Sequence, residues 1–200
     1  MKDLVIATRN PGKVKEIREL LAGVGLRLLS LQDFAEVPEV VEDGLTLEEN
    51  ALKKAREAYL ATGIPALSDD SGLEVFALGM QPGVRSARYA GEHVTYADNN
   101  RKLLEELGKI GAADRSAQFR CVAAFVDATV QHIAAGTCRG RIGTRLRGGG
   151  GFGYDPLFIP DGHDQTFAEL PPEVKNGISH RAAALSAMKV FLNSHFRSIR

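Results

Sequence analysis

Leu4-Val5-Ile6-Ala7 is an apolar run of strand length that ends near the turn-forming Asn10-Pro11-Gly12, and helical periodicity takes over directly after it. Val14, Ile17, Leu20 and Leu21 recur at helical spacing with Lys15, Glu16, Arg18 and Glu19 between them, and Gly23 stands where a C-terminal cap is wanted. A buried strand feeding straight into an amphipathic helix is the opening of a layered α/β arrangement. The same alternation continues. Leu26 to Leu31 reads as a second strand, and Thr46-Leu47-Glu48-Glu49 is a capping box that opens a helix running to Thr62 and stopping at Gly63. Ala66 to Ser68 and Leu73 to Leu78 read as strand pieces on either side of an acidic turn, Asp69-Asp70-Ser71-Gly72. Thr95 to Leu107 is a third helix with Gly108 as its stop. Ser116 to Val126 alternates as a half-exposed strand with Val130 to Gly136 as its hairpin partner, and a final helix runs from about Ser179 to Phe196. Helices and strands are interspersed along the chain, which predicts an α/β fold with a mixed sheet and disfavours a sandwich or a bundle.

Composition narrows the function classes. Of 200 residues 44% are apolar and 25% charged, the values of a folded globular chain, which argues against a disordered chain, a collagen-like repeat and a membrane span. The 25 basic and 25 acidic side chains cancel, so the broad positive field of a nucleic-acid-coating protein is missing and any anionic ligand is held locally. Two cysteines, Cys121 and Cys138, are too few for a disulfide framework or a four-thiolate zinc site. Lys2-Asp3 runs into a short apolar stretch unlike a signal peptide's, and the reducing cytoplasm is the expected compartment.

Four segments carry chemistry. Thr8-Arg9-Asn10-Pro11-Gly12-Lys13 lies between a strand and a helix N-terminus, where backbone amides and the Lys13 charge suit a phosphate; a tight turn with a solvated lysine fits the spacing equally well. It is not a P-loop, which would need glycine at Ala7 and a hydroxyl at Val14. Adjacent Asp69 and Asp70 suit a hard cation such as Mg²⁺ or a general base, against the plainer reading of a structural Asx-turn. Glu42, Asp43 and Glu49 stand as equal candidates for a further carboxylate, although Glu49 is already explained by the capping box. Gly148 to Gly153 has the letters of a dinucleotide fingerprint, but Asp155-Pro156 stands where its helix should begin. What remains is a flexible loop whose Phe152 and Tyr154 suit either stacking on a base or core packing, preceded by Arg139, Arg141, Arg145 and Arg147, which read either as a cationic rim or as an exposed strand face that needs no ligand. Lys175, His180 and Arg181 gather donors near the start of the last helix, a set suited to the oxo edge of a purine or to its phosphates; a capping contact is the plain alternative for His180. His93, His132, His163 and His195 lack metal-ligand spacing.

Taken in order, Thr8-Arg9-Asn10-Pro11-Gly12-Lys13, Glu49-Asn50-Ala51, Ser68-Asp69-Asp70-Ser71-Gly72-Leu73, Phe152-Gly153-Tyr154-Asp155-Pro156 and Ser179-His180-Arg181 resemble the inosine/xanthosine triphosphate pyrophosphatase family, also called the Ham1 or RdgB-like family. The resemblance covers essentially the whole chain. It implies an elongated α/β structure over residues 1–200 with a mixed sheet, two lobes and a central cleft, paired as a homodimer. It implies Mg²⁺-dependent hydrolysis of deaminated purine nucleoside triphosphates such as ITP, dITP and XTP to the monophosphate and pyrophosphate, with no nucleic-acid or membrane partner. By position, Thr8, Arg9, Asn10, Pro11, Gly12 and Lys13 become the triphosphate cradle. Asp70 becomes metal ligand and proton acceptor for the attacking water, and Glu42, in Val41-Glu42-Asp43-Gly44, becomes the second metal carboxylate. Ser71 touches the substrate, Phe152, Gly153, Tyr154 and Asp155 wall the base pocket, and Lys175, His180 and Arg181 contact the nucleotide and its 6-oxo group. Arg9 departs from the glycine that many relatives carry there. A pocket built to donate to a 6-oxo oxygen penalises adenine by about 1 to 3 kcal/mol per buried group left unpaired. The competing expectations are a Maf-like pyrophosphatase of pyrimidine or modified nucleotides, and a nucleotide sensor without catalysis.

Overall fold

The computed structural model describes residues 2–34, 37–111 and 113–198. Strand β1 (Lys2–Ile6) leads to helix α1 (Pro11–Leu20), β2 (Leu26–Ser30), a 3-10 turn at Leu31–Asp33, α2 (Leu47–Thr62) and β3 (Ala66–Val75). A 3-10 turn at Phe76–Leu78, β4 (Gln81–Pro82), a second at Gly83–Arg88 and α3 (Tyr96–Lys109) follow. The order closes with β5 (Ser116–Val126), β6 (Gln131–Ile142), β7 (Phe158–Pro160), α4 (Pro172–Ile178) and α5 (His180–Ser198). The strands pair in the order β2-β1-β3-β5-β6-β7, with β4 added to β3. β1 is parallel to β2 and β3, whereas β4 is antiparallel to β3 and β7 to β6. The mixed α/β sheet expected from the interspersed pattern is therefore what forms.

The chain divides into two compact units, one running through Asp70 and taking in Cys121–Gly136 and everything from Arg181 onward, the other made of Ser71–Arg120 and Thr137–His180. In the first unit β1 is covered on both faces. Leu4 and Ile6 join Ile17 and Leu21 of α1, Leu67 of β3, Phe125 of β5, and Leu185, Met188 and Leu192 of α5, while Val5 and Ala7 pack with Ala58 of α2, Ala66 and Leu31. That two-sided burial is why Leu4 to Ala7 reads as an unbroken apolar run. The second unit has its own core of Leu73, Val75, Leu103, Leu107, Phe119 and Phe158 with further apolar neighbours. Burial there pushes the Cys138 thiol up to about 11, so it stays neutral and packs as a small apolar group. No helix among the described residues is long and apolar enough to cross a membrane.

Helix α2 carries both of its expected caps, the Thr46–Glu49 box and Gly63 with φ of 68°. Other boundaries move. Leu21, not Gly23, closes α1, and α3 continues through Gly108 to Lys109 because buried Leu103 and Leu107 outweigh the glycine's helix penalty of about 1 kcal/mol. β6 runs six residues past Gly136, with Cys138, Gly140 and Ile142 inward and Arg139 and Arg141 outward. Gly140 there is a matter of space, since a Cβ would stand 2.2 Å from the Ile159 carbonyl oxygen on β7. Helix α4, opened by Pro172, has too few turns to carry a readable period.

Candidate active site

The segment expected as an acidic turn between two strand pieces is instead the middle of one ten-residue strand, β3. Side chains alternate across a strand, so consecutive Asp69 and Asp70 project to opposite faces and each finds its own cations. Leu67 and Asp69 share the face met by α1 and α5, while Ser68 and Asp70 share the face met by α2, where the Ser68 hydroxyl donates to the Ala51 carbonyl.

Asp69 is completely buried. Its Oδ2 lies 3.0 Å from both Nε and Nη2 of Arg181 and 3.2 Å from Lys13 Nζ, and Lys13 also donates to the Asp69 carbonyl at 3.4 Å. The Arg181 guanidinium has Glu16 of α1 as a second ionic partner. Burial works to raise the Asp69 carboxyl, but Lys13, Arg181 and Lys54 outweigh it and hold the group well below the usual carboxylate range. Burial likewise opposes the Arg181 charge, and Asp69 and Glu16 overcome it. Asp69 is thus a permanent anion that anchors α1 and α5 to the strand, with no capacity to accept a proton near neutral pH.

Asp70 behaves differently. Its Oδ1 lies 2.9 Å from Lys54 Nζ, and Asn50 Nδ2 donates to its Oδ2 at 3.4 Å. Burial pushes this carboxyl above its ordinary value; Lys54 and Lys13 act against that, and the Glu42 charge adds to it. The result is a more basic carboxylate than its neighbour, the property a proton acceptor needs. Lys54 is buried and keeps its proton because Asp70, Glu42 and Asp69 outweigh the cost of desolvation. Its ammonium also reaches Glu42 Oε1 at 3.2 Å, which separates the three acids that the sequence left equal. Asp43 pairs with Lys53 at 2.7 Å, and Glu49 caps the amides of Leu45 and Thr46. The loop bearing Glu42 is fixed by the Gly44 amide donating to Asn50 Oδ1 at 2.8 Å, so tightly that a Cβ on Gly44 would stand 2.6 Å from that oxygen.

At the start of α1, Asn10 is the N-cap and its Oδ1 accepts from the amides of Gly12 and Lys13 at 2.9 and 3.2 Å, with Pro11 in the first turn. Thr8 Oγ1 accepts from the Asn10 amide, and Arg9 donates to the Val37 carbonyl. The Gly12 and Lys13 amides are therefore engaged by Asn10, and the groups offering positive charge at this loop are Lys13 and Arg9. Ser71 is the next residue of β3 after Asp70 and is partly exposed.

In the second unit Asp155 organises the aromatic loop. Its Oδ2 accepts from the Phe152 amide at 2.8 Å and pairs with Lys175 Nζ at 2.7 Å, all but sealed from solvent. Lys175 Nζ also stands 5.1 Å from the Phe152 ring centre and 5.7 Å from that of Phe167, cation–π distances. Gly151, with φ of 71°, has to be glycine because a Cβ would lie 2.0 Å from Asp155 Oδ2. Gly153 adopts φ of 63° and its carbonyl accepts from Asn100 Nδ2 at 2.9 Å, while buried Tyr154 donates its hydroxyl to the Ser86 carbonyl at 3.0 Å. The glycine-rich stretch expected as a flexible loop is pinned as well, by Gly150 N to Ala168 O at 3.0 Å and Arg147 N to Pro156 O at 2.9 Å. The His180 ring stacks on Phe119, with centroids 4.6 Å apart at 11°. Lys175, His180 and Arg181, expected as one set of donors, are committed to three partners: Asp155, Phe119 and Asp69.

Lys54, Asn50 and Glu16 escaped sequence reasoning as site residues. Asn50 and Lys54 sit one turn apart on a face of α2 otherwise lined by Leu47, Ala51, Ala55 and Ala58, so polar groups on an alanine-lined face were the available signal.

Among the described residues no three acid, histidine or cysteine side chains gather as a self-sufficient metal site. Glu42 and Asp70, two carboxylates bracketing one ammonium, nevertheless suit Mg²⁺, which takes one or two protein carboxylates and completes its shell with water and phosphate oxygens.

Comparison with known proteins extends over nearly the whole chain. A family model described as Ham1 family matches residues 4–191. The chain is 52% identical over 190 residues to the dITP/XTP pyrophosphatase of Geobacter sulfurreducens, spanning 94% of this chain and 96% of that protein. A HAM1 protein from Coxiella burnetii has a solved structure similar to this one at a TM-score of 0.89 and 43% identity, over 97% of this chain and all of the other. The Ham1 protein of Staphylococcus aureus gives 0.86 at 38% identity, over 97% of this chain and 100% of its own.

Proposed function

Because this chain belongs to the Ham1 family, we propose that it hydrolyses deaminated purine nucleoside triphosphates, ITP, dITP and XTP, to the nucleoside monophosphate and pyrophosphate. The observation that carries this reading is the state of Asp70, a buried carboxylate made more basic by its surroundings and held by Lys54 beside Glu42. A group of that kind takes a proton from water and does not itself need to attack phosphorus.

In this proposal Glu42 and Asp70 hold Mg²⁺. The ion, when bound, supplies charge withdrawal from the α-phosphoryl group. Asp70 orients the attacking water and removes its proton. Lys54 keeps the two carboxylates together, and Asn50 fixes both Asp70 and the loop that carries Glu42. Lys13, whose ammonium lies against Asp69, offers charge to the departing pyrophosphate, and Arg9 and Thr8 stand on the same loop. Phe152, Gly153, Tyr154 and Asp155 with Lys175 and His180 form the part that recognises the base, and Ser71 contacts the nucleotide. Arg181 serves through Asp69, since its guanidinium is 2% exposed. The enzyme is proposed to work as a cytoplasmic homodimer.

The test is to offer ITP, dITP, XTP, GTP, ATP and UTP at equal concentration with Mg²⁺ and to measure pyrophosphate and orthophosphate separately. Pyrophosphate from the first three is expected to exceed that from the rest. Orthophosphate as the main product, or UTP or ATP as the best substrate, would overturn the reading, and bound but intact ITP would make the protein a sensor.

A further inference from the structure

Ser86, in the 3-10 turn Gly83–Arg88, has no part in the chemistry above, yet it joins two segments that do. Its Oγ accepts from the Leu73 amide at 2.9 Å and donates to the Gly83 carbonyl at 2.6 Å. Its carbonyl accepts from the Tyr154 hydroxyl at 3.0 Å. Leu73 is two residues beyond Ser71 on β3, and between them Gly72 lies so close to the turn that a Cβ would stand 2.4 Å from the Gly83 carbonyl oxygen. Burial pushes the Tyr154 phenol above its usual range, so it remains a donor at any working pH. A single buried residue thus holds the strand on which Ser71 follows Asp70 with its side chain, and the centre of the Phe152–Asp155 loop with its backbone. Both contacts are specific in direction and neither leaves slack.

We propose that Ser86 is a positioning residue that couples the seating of the purine base on the Phe152–Asp155 loop to the alignment of β3 at Ser71. The inference rests on the hydrolytic function proposed above. A base that fits the loop holds Tyr154 in place, Tyr154 holds the Ser86 turn, and the turn holds the strand in register. A base that fits poorly shifts Tyr154 and loses that alignment. Discrimination then arises in turnover as well as in binding.

The experiment compares kcat/KM for ITP and for ATP in the wild type, Ser86→Ala, Ser86→Cys, Tyr154→Phe and the double variant Ser86→Ala/Tyr154→Phe. The ratio of the two values does not depend on how much of a preparation is folded. Ser86→Ala is expected to lower the ITP/ATP ratio about fivefold or more, mostly through kcat for ITP, with Ser86→Cys intermediate because a thiol is a weaker and bulkier hydrogen-bonding partner than the hydroxyl. Tyr154→Phe is expected to lower the ratio too, and to lower it by less when Ser86 is already alanine, as residues in one chain of contacts do. If ITP and ATP rates fall by the same factor, Ser86 is a packing residue only and the coupling is refuted. Should Ser86→Ala fail to fold, an unchanged ratio in both Ser86→Cys and Tyr154→Phe refutes it equally. A wild type without preference for ITP overturns the functional reading and the coupling with it, whereas a selective wild type with an equally selective Ser86→Ala overturns the coupling alone.

Discussion

Asp69 and Asp70 carry the same side chain one residue apart and do opposite things. One is pulled down by Lys13 and Arg181 and stays a fixed charge, and the other is raised by burial, which makes it the more basic of the two. Their substitution by asparagine should therefore separate two phenotypes. Asp70→Asn is expected to lower turnover about 10²- to 10⁴-fold while nucleotide still binds and thermal stability holds, because Lys54 retains Glu42. Asp69→Asn is expected to cost about 3–5 kcal/mol of stability, the penalty for removing one partner from a buried ion pair, since the Asp69 carboxylate is fully buried and serves Lys13 and Arg181 at once. Denaturant melts and steady-state rates on the two variants decide it, and a stable Asp69→Asn or an active Asp70→Asn would contradict the assignment. None of this was legible in the letters Asp69-Asp70-Ser71-Gly72. Two carboxylates before a glycine have the composition of a turn, and the cations that let them lie in a strand come from Lys13, Lys54 and Arg181, which are far away in the chain.

At the scale of elements, legibility followed local chemistry. Helix α2 could be delimited at both ends because Thr46, Glu49 and Gly63 act on their own neighbours. Elements set by partners far along the chain could not be delimited, such as β3 through its acidic stretch or β6 beyond Gly136, where Gly140 fits against β7. The cap of α3 offers a direct check. Asp98 accepts from the Thr95 hydroxyl and amide and pairs with Arg101, which together bring its carboxyl from 3.8 down to about 2. A folded value below the unfolded one means that the cap's contribution is complete above about pH 4 and drains away as pH falls toward 2. Side-chain carboxyl titration by NMR should find Asp98 near that low value, and Thr95→Ala should move it upward. An ordinary value in the wild type would refute the capping box as a source of α3 stability.

For the whole molecule, the buried acids are neutralised from within, Asp69 by Lys13 and Arg181, Asp70 by Lys54, which also holds the half-buried Glu42, and Asp155 by Lys175. Folding consequently does not require the divalent ion proposed for activity. Chelation with EDTA is expected to stop pyrophosphate release while the circular dichroism spectrum is unchanged and Tm moves by no more than ~2 °C; collapse of the fold on chelation, or full activity without the metal, would refute this. The chain passes from one compact unit to the other after Asp70, Arg120, Gly136 and His180, each time inside β3, β5, β6 or α5 and never in a loop. Neither unit is a contiguous gene segment, so no single truncation liberates either one. Recombination between relatives at any one of these points would splice a strand or helix from two parents.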